Sequence, residues 1–283
     1  MPVLMCPPAH FGVDYEINPW MHVEVPVDRE RAWRQWDSLR TTYQDMGVEV
    51  VLTDPRPGLP DMVFTANAAV VRGDGAVLSR FRHPQRQGEE GLWRAFLESW
   101  GMRVFDTGGV AFEGAGDALF LGDTLVCGYG FRTDREAIPL VAQALDVEAV
   151  ALELVDPRFY HLDTCFCPLD DRTVLLAPSA FSPESADLVR RLAARVIEVP
   201  PEVAAGFACN ALALDRTVVS STAAQALAEP LAEAGYQVVG LPMTEFMKAG
   251  GGVRCLSLPL ARTAARPGLS LGPTPEGNFR RSG

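Results

Sequence analysis

Short runs of apolar residues recur along this chain, and each is paired with a second run across a tight polar turn. The turns contain Asp74, Asp123, Asp171 and Asp215, which lie 49, 48 and 44 residues apart. Gly and Asp in such short loops are typical of β-hairpins. A spacing this regular predicts that the chain is built from copies of one supersecondary unit.

Each hairpin is followed by a helical pattern and then by a further short apolar run. In residues 89–100, apolar side chains recur at the spacing of one helical face. Equivalent helical stretches occupy residues 135–145, 183–195 and 223–234. The sequence therefore predicts a strand-strand-helix-strand module that occurs four times in succession.

A fifth copy is divided between the two ends of the chain. Residues 255–260 form its first strand, and residues 3–6 form the second. A helix over residues 29–46 and a strand over residues 48–52 complete it. Five such modules predict an α/β fold, a five-bladed α/β propeller whose ring removes free sheet edges.

When the first strands of the modules are aligned, one position carries a polar residue in every copy. It is occupied by Asn67, Asp117, Asp163, Asn210 and Arg254. Asp and Asn favour turns and strand entries for local reasons, so a single copy would mean little. Four copies out of five indicate instead that these side chains converge on one polar mouth of the ring.

The residues near this position suggest a particular chemistry. Cys255 follows a glycine-rich approach, residues 250–254, and His161 and Glu113 lie shortly before two of the aligned acids. A cysteine becomes a strong nucleophile as a thiolate, which requires a nearby cation or base, and His161 is the best placed of four histidines. Clustered carboxylates would repel an oxyanion but hold a planar guanidinium. The pattern therefore predicts a cysteine nucleophile acting on a guanidinium group rather than on a peptide or ester.

Structural roles remain open for the same residues. A lone cysteine in an apolar strand more often packs than reacts, and its position at an acidic mouth is what favours catalysis for Cys255. A hydrogen-bonded structural role for His161 is the corresponding alternative. Cys165 and Cys167 could join His161 at a metal, but their spacing matches no C-x-x-C pair. We interpret both cysteines as packing residues and predict neither a metal nor a cofactor.

Composition limits the classes of partner. The chain has 283 residues, 48% of them hydrophobic and 22% charged, with a formal net charge of −11. An acidic chain without basic patches argues against nucleic acid and anionic membranes, and no signal peptide or membrane-length apolar run is apparent. The expectation is a cytoplasmic protein with a small-molecule substrate, and a homo-oligomer is left open.

Residues 1–263 are predicted to form one catalytic domain. Residues 264–283, which are rich in Gly, Pro and Ser, are predicted to form a disordered tail.

Several long segments resemble the guanidine-modifying hydrolases and amidinotransferases, the pentein superfamily. They are LMCPPAHFGVDYEINPWM, DMVFTANA, LSRFRHPQRQGEE, FEGAGDALF, GYGFR, FYHLDTCFCPL, FACNALAL and TEFMKAGGGVRCLSL. They span roughly residues 3–260 in order, and they are most similar to the arginine dihydrolase domain of cyanobacterial-type bifunctional proteins. The resemblance implies the five-bladed fold that the repeats predict.

The resemblance also implies roles for residues at the mouth. Cys255 of RCL would be the nucleophile, and His161 of HLD the general acid and base. Glu113 of EGAGD and Asp163 of HLD would hold the guanidinium nitrogens. Asp117 would support either the loop or the ligand.

Three further positions are implied to bind the amino-acid end of the substrate. They are Asn18 of INPW, Arg86 of RQGEE and Arg132 of GFR, where arginine suits a carboxylate. The INPW segment is also a candidate lid over the site.

Asn67 separates two reactions within the superfamily. Deiminases carry an Asp there, which favours a cation and releases neutral citrulline, whereas an amide can also hold a neutral ureido group. The resemblance thus implies an arginine dihydrolase that forms ornithine, carbon dioxide and two ammonia molecules. The alternatives are a dimethylarginine dimethylaminohydrolase, an arginine deiminase, a cysteine peptidase and a propeller that only binds.

Overall fold

Five three-stranded sheets form the framework of the computed structural model, which describes residues 1–262. The strands are β1 Val3–Met5, β2 Val50–Leu52, β3 Ala69–Arg72, β4 Gly75–Leu78, β5 Arg103–Phe105, β6 Ala118–Leu121, β7 Thr124–Tyr129, β8 Ala149–Glu153, β9 Phe166–Pro168, β10 Thr173–Leu176, β11 Arg195–Glu198, β12 Leu212–Leu214, β13 Thr217–Ser221, β14 Gln237–Leu241 and β15 Leu258–Pro259. The helices are α1 Arg29–Asp45, α2 Pro84–Gln87, α3 Glu90–Ser99, α4 Gly114–Asp117, α5 Ala137–Leu145, α6 Pro183–Leu192, α7 Pro201–Ala204, α8 Ala228–Glu233 and α9 Thr244–Met247.

All five sheets have the same topology. The first strand of a module is antiparallel to the second, and the third strand lies parallel to the second on its other side. A helix connects the two parallel strands because such a crossover needs a long connection. The predicted α/β class and the repeated strand-strand-helix-strand module are therefore confirmed.

The fifth sheet combines the two ends of the described chain. Strand β1 is antiparallel to β15, with Val3 opposite Pro259, and parallel to β2, with Val3 opposite Val50. Helix α1 connects β1 to β2 and begins at the N-cap Asp28, whose side chain accepts a hydrogen bond from the Arg31 backbone N–H. The split module predicted from the two ends is thus present as one sheet.

Some predicted boundaries were wrong. Residues 255–257 do not belong to the predicted strand, because β15 begins at Leu258. The helix predicted over residues 183–195 ends at Leu192, and Arg195 already begins β11. The stretch from residue 223 begins as a 3₁₀-helix, Thr222–Leu227, before α8.

The residues at the aligned polar position lie in the turns just before the first strands rather than in the strands. Asn67 is in the 3₁₀-helix Thr65–Ala68, and Asp117 ends α4. Asp163 occupies another 3₁₀ turn, and Asn210 and Arg254 lie in turns before β12 and β15. In a helical turn, successive side chains point in different directions, unlike the two faces of a strand. Each module can therefore direct one polar group inward while its neighbours pack.

The apolar faces of the sheets and helices pack into cores between the modules. Trp93 of α3 and Tyr43 of α1 are among the largest fully buried side chains. Cys165 and Cys167 lie in the core of the third and fourth modules, where Cys165 is fully enclosed. In the described part of the chain, no helix is long and apolar enough to span a membrane. The predicted tail, residues 264–283, lies outside the described residues.

Candidate active site

Cys255 lies in the turn before β15, buried to 2% exposure and held by neighbours from two other modules. Its thiol donates to Asp163 Oδ2 at 3.3 Å, and Asn210 Nδ2 donates to Cys255 Sγ at 3.0 Å. The Asn210 side-chain oxygen also accepts the backbone N–H groups of Arg254 and Cys255 at 3.0 and 3.2 Å. One amide therefore positions both the backbone and the sulfur of this cysteine.

The surroundings of the thiol favour its protonated form. Burial raises the pKa of Cys255 well above its ordinary value, and the Asp163 carboxylate raises it further. Burial also raises the pKa of Asp163, to about 7, although the charge of Arg254 opposes this. The second carboxylate oxygen of Asp163, Oδ1, has no hydrogen-bond partner within residues 1–262. A buried carboxylate with a free oxygen beside a thiol is suited to bind a cation.

His161 lies against a second buried carboxylate. Its Nε2 is 2.8 Å from Glu113 Oε2, which also accepts from Arg132 Nη1 at 2.9 Å. The other oxygen, Oε1, accepts the backbone N–H of Arg82 at 3.2 Å. Burial alone would raise the pKa of Glu113, but Arg132 and the hydrogen bond to His161 outweigh it and hold the pKa well below its usual range. Glu113 is therefore ionised at neutral pH.

The thiol and the imidazole are not hydrogen-bonded to each other among the described residues. The partners of Cys255 Sγ are Asp163 and Asn210, whereas His161 Nε2 faces Glu113. That His161 acts as acid and base stays a prediction. In this arrangement, it does not serve as the base that deprotonates the thiol.

Asn67 and His161 approach each other across a glycine. A Cβ atom added at Gly116 would be 2.3 Å from Asn67 Nδ2 and 3.3 Å from His161 Cγ. A side chain at residue 116 would therefore collide with the amide, so glycine is required for this close approach.

The orientation of the Asn67 amide is fixed by Arg86. Arg86 Nη1 donates to Asn67 Oδ1 at 2.8 Å, while its Nε and Nη2 pair with both oxygens of Glu89. Nη2 also donates to the carbonyl oxygen of Asp61. The amide oxygen is thus occupied, and Nδ2 makes only a long contact of 3.4 Å with the carbonyl oxygen of Glu113. The donor side of the amide is the side available to a ligand.

Asp61 is a candidate that the sequence reasoning missed. Its side chain is buried, Oδ2 accepts from the Tyr15 hydroxyl at 3.0 Å, and Oδ1 has no partner in the described chain. Burial raises the pKa of Asp61 to about 6, against the opposing charge of Arg86. Asp61 lies outside the aligned repeat position, and its only signal was that it begins the DMVFTANA segment.

Both carboxylate oxygens of Asp117 accept hydrogen bonds within the protein. Its Oδ2 accepts from the Thr133 hydroxyl at 2.7 Å, and its Oδ1 accepts from the Leu162 backbone N–H at 3.0 Å. Burial raises the pKa of Asp117 to about 6, while the nearby His161 lowers it. Of the two roles left open for Asp117, these contacts favour support of the loop that carries His161.

The INPW segment is fastened to loops of three other modules. The Ile17 carbonyl oxygen accepts from Arg132 Nη2 at 2.9 Å, and Asn18 Nδ2 donates to the Ala249 carbonyl oxygen at 3.1 Å. Trp20 Nε1 donates to the Arg158 carbonyl oxygen at 2.8 Å, and its ring lies 4.9 Å from that of Phe207. The segment thus connects the Arg132 guanidinium to the loop that precedes Cys255.

The potential metal ligands of the described chain lie elsewhere. Glu16, His22 and Glu24 bring ligand atoms within 4.8 Å of one another, but all three are exposed. Exposed groups of this kind are common without an ion, so they identify no site.

Together, a buried thiol, two buried carboxylates, an imidazole and an oriented amide form a set of groups suited to a guanidinium. Comparison with known proteins agrees. The family model described as "N,N dimethylarginine dimethylhydrolase, eukaryotic" matches residues 8–262. The chain therefore belongs to the dimethylarginine dimethylaminohydrolase family, and the resemblance inferred from its motifs is confirmed.

Two curated relatives illustrate this membership. The bifunctional arginine dihydrolase/ornithine cyclodeaminase ArgZ of Synechocystis is 46% identical over 270 residues, covering 90% of this chain and 37% of that protein. The N(G),N(G)-dimethylarginine dimethylaminohydrolase of Mycobacterium tuberculosis is 44% identical over 254 residues, covering 90% and 84% respectively. The chain thus spans little more than a third of the length of the bifunctional relative.

Solved structures show the same relationship. The N-terminal domain of ArgZ, in a substrate complex, superposes with a TM-score of 0.89 at 45% identity, covering 92% of this chain and 98% of that one. The dimethylarginine dimethylaminohydrolase of Pseudomonas aeruginosa, in complex with citrulline, gives a TM-score of 0.75 at 22% identity, covering 90% and 97%. The second match shows the shared fold alone.

Proposed function

We propose that this chain is an arginine dihydrolase, which converts L-arginine and two water molecules into L-ornithine, carbon dioxide and two ammonia molecules. The observation that carries the proposal is the amide of Asn67, whose oxygen is occupied by Arg86 and whose N–H donors are open to a ligand. A donor at this place suits the neutral oxygen of a ureido group. The similarity to the N-terminal domain of ArgZ, an arginine dihydrolase, supports it.

In this proposal, the guanidinium lies between Glu113 and Asp163. Both carboxylates are fully buried, and Oδ1 of Asp163, which has no hydrogen-bond partner among residues 1–262, would gain one from the substrate. The amino-acid end would meet Arg132, Asn18 and the free oxygen of Asp61, which is suited to an ammonium group. Arg86 has all three nitrogens hydrogen-bonded within the protein, so its contacts support a role in fixing Asn67.

Binding of the substrate would activate its own nucleophile. The thiol of Cys255 is protonated because burial and Asp163 raise its pKa. A guanidinium placed against Asp163 neutralises that carboxylate and adds positive charge near Sγ, and both effects favour loss of the thiol proton to water and formation of the thiolate. Thiolate would thus form where substrate is present, which protects an otherwise reactive cysteine.

The first hydrolysis proceeds through a covalent intermediate. The Cys255 sulfur attacks the guanidinium carbon, and the tetrahedral adduct expels ammonia, which takes its proton from His161. Water then attacks the S-alkylthiouronium carbon as His161 removes a proton, and the C–S bond breaks to give citrulline and the thiolate. Glu113 would hold the imidazole in position throughout.

The second hydrolysis repeats this chemistry on the ureido group. Asn67 would donate to the citrulline oxygen, so the neutral intermediate stays bound long enough for a second attack. Loss of ammonia and addition of water then leave the carbamate of ornithine, which releases carbon dioxide. Whether one or two rounds occur thus depends on the residue at position 67.

A dimethylarginine dimethylaminohydrolase is the second candidate. The family model and the Mycobacterium tuberculosis relative, of which 84% is covered, specifically favour it. That reaction would use the same thiol, imidazole and acids but release dimethylamine, and it would stop at citrulline.

The two candidates are distinguished by their products. The protein is incubated separately with arginine, citrulline and dimethylarginine, and ammonia, dimethylamine, citrulline and ornithine are quantified. We expect two ammonia molecules per ornithine from arginine. Dimethylamine with no ornithine would favour the second candidate, and citrulline with one ammonia a deiminase. No turnover of any substrate would favour a protein that only binds.

We infer further that the five modules close into a propeller and that residues 1–263 form one catalytic domain. The pairing of β15 with β1 and a cavity lined by the first strands of all five sheets support closure. Sedimentation of the purified chain would test the open question of a homo-oligomer. The expected location is the cytoplasm, with no nucleic-acid or membrane partner, which fractionation would test.

A further inference from the structure

A cavity is lined by the first strands of the five sheets, and we call it the axial cavity. Its lining includes Val70 of β3, Ala118 of β6, Cys167 of β9, Leu212 of β12 and Leu258 of β15. Its volume is about 450 Å³. Cavities that hold small molecules in proteins measure roughly 300–1,000 Å³, so the axial cavity is large enough for a ligand.

A buried arginine lines this cavity. Arg254 is 8% exposed, and its Nη1 donates to the carbonyl oxygen of Ser257. In the described part of the chain, its guanidinium forms no ion pair with a carboxylate. The other two arginines of the lining do: Arg72 pairs with Asp123, and Arg262 lies 3.6 Å from Glu49. Arg254 is thus the arginine of the lining that has no ion pair with a carboxylate among the described residues.

The described lining of the axial cavity lacks acidic groups that could pair with the Arg254 guanidinium. Among residues 1–262, no Asp or Glu lines the axial cavity, although the whole chain carries a net charge of −11. Arg254 acts on Asp163 through its charge, but the two side chains form no direct ion pair. A mostly buried guanidinium is more favourable when a carboxylate pairs with it directly, and an anion that enters the cavity would supply that pair.

We propose that the axial cavity binds a small monocarboxylate with a short apolar chain, whose carboxylate pairs with Arg254. A guanidinium holds a carboxylate through paired N–H donors. The aliphatic side chains and strand backbones around it, such as Val70, Ala118 and Leu212, suit an alkyl chain rather than a second charge. This site lies apart from the pocket of Glu113 and His161, whose residues do not line the cavity.

Binding of a ligand in the axial cavity would affect the surroundings of Cys255, a consequence that rests on the proposed function. Arg254 and Cys255 are consecutive, and their backbone N–H groups share the oxygen of Asn210. The charge of Arg254 also lowers the pKa of Asp163, so a bound carboxylate would favour protonation of Asp163. Because Asp163 holds the guanidinium in the proposed function, the ligand should raise KM for arginine although it does not enter the substrate site.

Calorimetry of the full chain with hexanoate tests the binding directly and needs no turnover. The titration is made first without and then with saturating ornithine, which is expected to occupy the substrate site. We expect one hexanoate per chain, with affinity falling about three- to fourfold for each methylene removed, through butyrate to acetate. Hexylammonium should not bind. Loss of hexanoate binding when ornithine is added, or phosphate binding as tightly as hexanoate, would overturn the proposal, as would no binding at all.

Arg254→Met keeps the length of the side chain and removes its charge. We expect it to weaken hexanoate binding by at least about tenfold, whereas Arg72→Met, at a paired arginine of the same lining, should change it less than about twofold. Equal effects of the two substitutions would contradict the assignment. If Arg254→Met does not fold, the chain-length series on the unmodified protein still decides the question.

Discussion

Arg86 Nη1 donates a 2.8 Å hydrogen bond to Asn67 Oδ1, so a buried cation determines which face of the amide is offered to a ligand. The same guanidinium is paired with both oxygens of Glu89. A carboxylate at position 67 would therefore be accepted by the fold, since Arg86 would partly compensate its charge. This relationship makes the choice between one and two hydrolyses testable by a single substitution.

Asn67→Asp is expected to stop the reaction at citrulline. The new carboxylate still binds the cationic substrate but lacks the N–H donors for the ureido oxygen, so ornithine formation should fall by at least about 100-fold. Chromatography of the amino acids formed from arginine measures the ratio. Ser79→Ala is the matched control, because the Ser79 hydroxyl donates to the Asn67 backbone rather than to its amide. An unchanged ratio in Asn67→Asp would remove Asn67 as the determinant.

Cys255→Ala is expected to abolish turnover of every guanidino substrate, by at least about 10³-fold. Acid quenching of the unmodified protein during turnover should trap an adduct on the peptide that contains Cys255, detectable by mass spectrometry. Cys127→Ala serves as the control, since Cys127 is a buried thiol of β7 that packs in a hydrophobic core. Turnover that survives Cys255→Ala, or an adduct on another cysteine, would contradict the proposed nucleophile.

Trp20→Ala is expected to loosen the INPW segment. It removes the hydrogen bond to the Arg158 carbonyl and the contact with Phe207, so hydrogen exchange of residues 16–22 should accelerate. Because Arg132 is bonded to the same segment, KM for arginine should rise about tenfold with a smaller change in kcat. Trp33→Ala, at a tryptophan of α1 that is 41% exposed, should leave both unchanged. Equal exchange rates in the two variants would show that Trp20 does not fasten the segment.

The stability of the unliganded protein should fall as pH rises from about 4 to about 7. Burial raises the pKa of Asp163 to about 7, and those of Asp61 and Asp117 to about 6, so the folded state holds protons that the unfolded state has already lost. For Asp163 the loss is on the order of 2–4 kcal/mol, complete once pH exceeds the folded pKa.

Denaturant unfolding at several pH values measures this slope. Asp163→Asn should flatten it, whereas Asp171→Asn, in an exposed turn, should not. Glu113 acts in the opposite sense, because its pKa is lowered: its contribution is present above the unfolded pKa and is lost in acid. A stability that is constant between pH 4 and 7 in the unmodified protein would contradict the protonated state of Asp163.

The repeated modules, and the place of Cys255 beside the aligned polar position, could be predicted from the sequence alone. Apolar periodicity and turn residues act locally, so the hairpins around Asp74 and Asp171 and the divided fifth module could be predicted from spacing alone. The aligned polar position likewise predicted that Asn67 and Asp163 lie at one mouth. These features follow from short-range pattern, which a single chain displays directly.

Tertiary structure alone decided how the polar groups pair. The sequence predicted that His161 lies beside the thiol. In the structure, contacts between separate modules place His161 against Glu113, and the hydrogen-bond partners of Cys255 Sγ are Asp163 and Asn210. No local pattern shows that Arg86 is bonded to Asn67, or that Asp61 keeps a free oxygen. Hydrogen bonds between modules depend on how the sheets are placed in space, and burial, which sets the pKa of each group, exists only after that placement.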